Sequence, residues 1–214
     1  MGIAFFDFDG TICTADSFLA FVRFARGRAA YWRGLLQLSP FIAQYLLKRY
    51  PNDRLKERFF AHYFGGMPEA ELLALGEEFS AAWLPGRCRP ALLDRLAWHQ
   101  QRGNAVVVVT ASSAIWLGGW CRAQGAELIG TEFEVVAGRY TGRLAGPNCH
   151  GERKRELVAA RLAAQSYNPT FGYGNRPDDE PFLSLLQEVR YYAVGRAANF
   201  DFAARTPGEA RPSA

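Results

Sequence analysis

Asp7 and Asp9, one residue apart, stand directly behind the apolar run Ile3–Phe6 and ahead of Gly10-Thr11. Ligands of open α/β sheets bind beyond the carboxyl ends of the strands. This stretch therefore delivers two carboxylates to the edge where acid, base or metal chemistry is done, with Gly10 permitting the turn. A solvated acidic turn is the bland alternative, but such a turn rarely follows an apolar strand with this spacing and this Gly-Thr. Other segments present polar groups in the same way. Val106–Val109 runs into Thr110, a hydroxyl at a strand end, although Thr110 and Ser112 would serve equally as helix caps. Gly151-Glu152-Arg153-Lys154 puts basic residues at what reads as a helix start. Tyr173-Gly174-Asn175-Arg176-Pro177-Asp178-Asp179 closes another apolar run with an amide and two carboxylates. His62, His99 and His150 are too scattered for a triad or a zinc site and read as structural.

Groups so far apart in sequence need a frame that gathers them. Apolar runs at Ile3–Phe6, Ala105–Val109, Thr170–Tyr173 and Tyr191–Val194 lack polar alternation, as strands buried on both faces of a parallel sheet do. Helical patterns lie at Arg89–Gln101, Ala114–Gln124, Glu152–Ala164 and Pro181–Glu188, which gives the α/β rhythm of a Rossmannoid, doubly wound sheet. Asp16–Trp83 breaks that rhythm with four helical stretches, Phe18–Ala25, Tyr31–Tyr50, Asp53–Phe64 and Glu69–Trp83, and no convincing strand. Glu132–Arg143, with Gly138 between two β-rich stretches, reads as a hairpin. The expected division is a catalytic core over 1–14 and 86–205, an all-helical cap over 15–85 and a frayed tail over 206–214.

Composition narrows the partners. With 25 Lys plus Arg against 21 Asp plus Glu the chain carries +4, yet no basic run reaches the five or six like charges of a nucleic-acid tail, so no nucleic-acid partner is expected. Cys13, Cys88, Cys121 and Cys149 form no C-x-x-C pair, and no basic stretch precedes the first apolar run; reduced thiols in a cytoplasmic protein are expected. Tyr31–Tyr50 carries a broad apolar face interrupted by Arg33, Gln37, Ser39-Pro40 and Gln44, too short and broken to span a bilayer. It reads as a kinked helix packed within the insert, with an interfacial helix at a membrane surface as the alternative.

The stretch Asp7-Phe8-Asp9-Gly10-Thr11 resembles the nucleophile motif of the haloacid dehalogenase-like phosphohydrolase superfamily, and the other segments follow in family order. The resemblance implies that Asp7 attacks phosphorus and carries an aspartyl-phosphate, and that Asp9 protonates the leaving oxygen and then activates water. It implies that Thr110 and the amide of Ala111 hold a phosphate oxygen, and that Lys154 neutralises the phosphate and the nucleophile. In the last motif Gly174, Asp179 and Leu183 fit the family pattern, whereas Asn175 stands where a magnesium-binding carboxylate is usual. The implied Mg²⁺ site is Asp7, Asp9 through its carbonyl, Asn175 and Asp179, with Asp178 beside them as a substrate contact or a compensating charge; an amide oxygen is an acceptable but weaker donor. A helical insert after the first motif resembles the phosphoserine-phosphatase-like branch, and there Asp16 would meet a substrate ammonium unless it only caps the helix that starts at Ser17. The expected activity is Mg²⁺-dependent hydrolysis of a small phosphate ester such as phosphoserine or histidinol phosphate. The alternatives are a membrane-associated lipid phosphate phosphatase and a phosphate-binding module weakened by Asn175.

Overall fold

The computed structural model describes residues 1–191. Five parallel strands, β1 (Ile3–Phe6), β2 (Ala105–Val109), β3 (Glu127–Ile129), β6 (Thr170–Gly174) and β7 (Glu188–Tyr191), form a sheet in the order β3-β2-β1-β6-β7. β1 lies at its centre, with Ile3 opposite Ala105 on one side and Thr170 on the other. Successive side chains of a strand point to opposite faces, and the two faces build two cores. Ala4, Phe6, Val106, Val108 and Tyr173 enter one hydrophobic cluster, while Ile3, Phe5, Val107 and Val109 enter the other. Both faces are therefore dry, which is why these strands are unbroken apolar runs. Phe6 stacks on Tyr173 with ring centroids 4.3 Å apart, and His99 Nε2 meets the Tyr173 hydroxyl at 2.8 Å while Asn104 holds its other nitrogen. His99 is a core residue, and burial with the nearby Arg95 and Arg102 pushes its pKa down to about 4.

Helices α4 (Pro90–Gln101), α5 (Ala114–Ala123) and α6 (Glu152–Ala163) connect the strands, and α1 (Ser17–Leu46), α2 (Asn52–Phe64) and α3 (Glu69–Ala82) stand between β1 and α4. The two helices expected within Phe18–Tyr50 are present as the two limbs of α1, which ends at Leu46 and not Tyr50 and is broken at Gly27, whose φ of 76° only glycine adopts without strain. Pro40 inside α1 cannot donate to the carbonyl of Leu36, and Ser39 Oγ donates to that carbonyl instead at 2.7 Å, which keeps the helix running. The insert is seated hard on the core: a Cβ on Gly76 of α3 would lie 1.6 Å from the carbonyl oxygen of Ile115 in α5. The hairpin expected near Gly138 is present as β4 (Phe133–Val136) and β5 (Arg139–Leu144), turning through Ala137 and Gly138, both at positive φ. Phe133 stacks on Phe60 of α2 at 3.6 Å, tying the hairpin to the insert.

Two expectations need correction. The helix expected over Pro181–Glu188 is only α7 (Glu180–Leu183), because Glu188 is already paired with Phe171 in the sheet. The last strand begins at Glu188 and not at Tyr191; residues 192–194 and the 206–214 tail lie outside the described residues. The four cysteines are free and buried. Among the described residues no helix is long and apolar enough to cross a membrane.

Candidate active site

Asp7 follows β1, Thr110 follows β2 and Asn175 follows β6, so all three arrive at the carboxyl edge of the sheet, and the first turn of α6 brings Lys154 to meet them. Lys154 Nζ is buried between Asp7 Oδ1 at 2.9 Å and Asp179 Oδ1 at 2.7 Å. Burial opposes its charge, but the two carboxylates outweigh that penalty and hold the lysine protonated, above its usual pKa. The same burial raises Asp7, with Lys154 working against it. Asp179 Oδ2 accepts from the amides of Asn175 and Arg176, both at 3.1 Å, so its oxygens are occupied in fixing the lysine and its own loop.

Asp9 sits in a different setting. Its Oδ1 accepts from the Ser17 amide at 2.8 Å and its Oδ2 from Ser112 Oγ at 2.6 Å. Trp116 Nε1 donates to Ser17 Oγ at 3.1 Å, and Ser17 and Ser112 hydroxyls lie 2.9 Å apart. Because Ser112 gives its proton to Asp9, Ser17 must donate to Ser112, and the chain runs in one direction from indole to carboxyl. Enclosure of the Asp9 carboxyl, then the charge of Asp16, raises its pKa to about 7 against the opposing hydroxyl bonds.

Thr11 Oγ1 lies 2.9 Å from Asp7 Oδ2 and 3.1 Å from Asn175 Oδ1, and one hydroxyl proton cannot serve both well. Among the described residues the buried Asn175 Nδ2 has no partner. With the amide turned over, Thr11 donates to Asp7 and accepts from Asn175, and an oxygen without a protein donor stands beside the loop of Asp7 and Gly10. This is a donor set of hard oxygens, which suits Mg²⁺. Thr110 Oγ1 accepts from the Ser112 amide at 3.0 Å and keeps its own proton to give.

Asp7, Asp9, Thr110, Ser112, Lys154 and Asp179 form the floor of a cavity of about 570 Å³, with Asn175 and Thr11 behind it. Asp16, Ala111 and Asp178 line it too, so every residue singled out from the sequence as catalytic or substrate-binding reaches the cavity. Asp16 Oδ1 caps α1 by accepting from the Leu19 amide at 3.0 Å, and Asp178 faces His150 at 3.3 Å on the rim. The roof is apolar, with Phe18, Leu35, Ile42, Leu55 and Phe59 among its residues. Sequence reasoning missed Lys56 of α2, whose ammonium donates to the Ala111 carbonyl at 2.7 Å and to Asn148 Oδ1 at 2.5 Å. Enclosure lowers its pKa to about 8, with Asp16 and Asp9 opposing from a distance. No sequence signal marked it, since Asp53, Arg54, Glu57 and Arg58 make the stretch look like a solvated face.

A parallel sheet that gathers two aspartates, a hydroxyl and a buried lysine at one carboxyl edge, under a helical cap, is the frame of a hydrolase. Residues 4–184 match the model of the haloacid dehalogenase-like hydrolases, and the chain belongs to that family. It is 30% identical over 189 residues to Protein CicA of Caulobacter vibrioides, covering 87% of this chain and 83% of that one. It is 31% identical over 193 residues to phosphoserine phosphatase SerB1 of Mycobacterium tuberculosis, covering 86% of this chain and 62% of that longer protein. Among solved structures, a protein of unknown function from Bordetella pertussis Tohama I superposes with a TM-score of 0.73 at 25% identity, covering 87% of each chain.

Proposed function

We propose that the enzyme hydrolyses phosphomonoesters through a phosphoryl group carried on Asp7. The observation that supports this best is the contrast between neighbouring carboxyls. Asp7 Oδ1 is held by the Lys154 ammonium at 2.9 Å, whereas Asp9, among the described residues, is bonded only to the Ser17 amide and the Ser112 hydroxyl and has its pKa raised to about 7, which suits a group that gives and takes a proton. Asp7 Oδ attacks phosphorus, the bond from phosphorus to the ester oxygen breaks, and Asp9 protonates the departing alkoxide. A water then attacks the phosphorus, Asp9 takes its proton, and phosphate leaves with Asp7 restored. Thr110 and the Ala111 amide hold phosphoryl oxygens throughout, and Lys154 neutralises Asp7 and the group it carries. Asp7, the Asp9 carbonyl and Asn175 are the residues that would hold Mg²⁺, which when bound neutralises charge on the phosphoryl oxygens. Asp179 acts on this site through Lys154.

For the substrate, a small amino-alcohol phosphate is supported by Asp16 in the cavity wall, one oxygen of which caps α1. A second reading, an ester with a substantial apolar group, is supported by the roof of Phe18, Leu35, Ile42, Leu55 and Phe59. The chemistry is tested with an aryl phosphate and Mg²⁺: acid-quenched enzyme should carry one phosphoryl group on Asp7 by mass spectrometry. Asp7→Asn should remove it and lower turnover at least about a thousandfold, some 4 kcal/mol of barrier. Turnover within about tenfold of wild type would rule Asp7 out as nucleophile.

A further inference from the structure

We infer that the distal half of α1, beyond the break at Gly27, docks on an anionic lipid surface and opens the catalytic cavity toward it. Trp32, Leu36, Pro40, Ala43 and Leu47 are all exposed. Their spacings of four, four, three and four residues place them in one stripe along the helix. The large side chains among them are well into solvent: Trp32 is 60%, Leu36 75% and Leu47 65% exposed, with Leu46 beside them at 72%. The opposite side is already used, since Gly34 and Leu38 are buried and Tyr31 is fixed through its carbonyl by the Tyr63 hydroxyl at 2.8 Å. Apart from an edge-on contact of Trp32 with Tyr31 of the same helix, at 5.3 Å between ring centroids, the exposed side of the stripe is left to solvent among the described residues.

Charge names the occupant. Residues 17–50 contain six of the 25 Lys and Arg and none of the 21 Asp and Glu, so the rest of the chain is net acidic and this one segment strongly basic. Arg28, Arg33, Lys48 and Arg49 are exposed beside the apolar stripe. An apolar stripe between cations suits a bilayer interface with anionic headgroups, where the rings and leucines enter the acyl boundary and the cations stay among the phosphates. The surface is also continuous with the site: Tyr45 and Leu46 are exposed and at the same time line the cavity above Asp7. A phosphomonoester with an apolar chain could therefore pass its headgroup to Asp7 while its chain leaves between these residues. That substrate link rests on the proposed phosphatase chemistry; the docking itself does not.

Co-sedimentation with vesicles of phosphatidylcholine containing phosphatidylglycerol tests it, beside vesicles of phosphatidylcholine alone. Wild type should bind the anionic vesicles, less as salt is raised, and bind the neutral ones weakly. Trp32→Ser with Leu36→Ser, and separately Lys48→Glu with Arg49→Glu, should each weaken binding about tenfold or more. Both should leave soluble aryl-phosphate hydrolysis and circular dichroism unchanged. No binding, or binding indifferent to both pairs, overturns the inference, as does a dimer in light scattering that the Trp32 and Leu36 changes dissociate. Asp7→Asn should bind vesicles like wild type. If wild type binds vesicles but no aryl phosphate is cleaved, the docking stands and the catalytic reading fails.

Discussion

The core edge and the helical insert face each other across one cavity and handle charge in opposite ways. At the core edge the buried ions answer one another: Lys154 lies between Asp7 and Asp179, and Asp179 in turn holds two backbone amides. The insert contributes apolar walls and one enclosed cation, Lys56, whose nearest partners are a carbonyl and an amide oxygen. Transferring a phosphoryl group requires charge already fixed in place, whichever alcohol leaves, so the core can be complete without the substrate. Selecting an alcohol requires a surface that the substrate completes, and an enclosed ammonium lacking a carboxylate is such a surface.

The largest effect should come from unbalancing the core. Lys154→Met leaves the Asp7 and Asp179 carboxylates buried without their cation, which should cost about 3–5 kcal/mol of stability and at least about a thousandfold in kcat. Urea denaturation and aryl-phosphate kinetics read the two. A variant of near wild-type stability would mean that the network is solvated and that the comparison with the insert fails.

Lys56→Met should behave otherwise. It relieves an enclosed charge while leaving two oxygens short of a donor, so stability at pH 7 should change by no more than about 1 kcal/mol, and the loss should appear in KM more than in kcat. The pH dependence has a definite sign. Unfolded, Lys56 has the usual pKa of 10.5; folded, about 8, so between these values the unfolded chain holds the extra proton. Wild type should therefore gain stability relative to Lys56→Met as pH rises from about 8 toward 10.5, by about 2 kcal/mol. Denaturation midpoints of both proteins at pH 7.5 and 9.5 check it; parallel curves would show that the ammonium is freely solvated.

The same division governed what the sequence disclosed. Strands dry on both faces leave an unmistakable trace, and Ile3–Phe6 and Ala105–Val109 are read to the residue. β3, three residues at the sheet edge and only partly covered, leaves none. The extent of α7 is decided by a long-range pairing, Glu188 with Phe171, which local periodicity does not see. The positions of Asp7, Thr110 and the Arg153-Lys154 pair at element ends were legible in the sequence, whereas their expected roles, those of Asp179 and the choice of Lys154 over Arg153 came from the family resemblance. Lys56 was not legible, because its environment is made by Ala111 and Asn148, residues 55 and 92 positions away.

The smallest effect, and the finest test of how the core edge keeps its charges balanced, lies at Asn175. A Cβ on Gly10 would stand 2.4 Å from the amide atom that faces the Asp7 loop; with the amide turned over that atom is an oxygen without a donor, and the nitrogen gives its proton to Thr11. Asn175→Asp therefore gives up the one bond to Thr11 and adds a negative charge close to Asp7. In metal-free buffer the added charge should lower the melting temperature by a few degrees, about 1 kcal/mol for a chain of this size. With Mg²⁺ the order should reverse, because a carboxylate is the stronger ligand: half-saturation of the thermal shift should fall about tenfold, a gain of about 1.4 kcal/mol. The ranking of substrates should not move if, as proposed, the apolar roof of the insert selects them. Superimposable magnesium titrations of the two proteins would place residue 175 away from the ion, and a changed substrate ranking would mean that core and insert do not divide the work in this way.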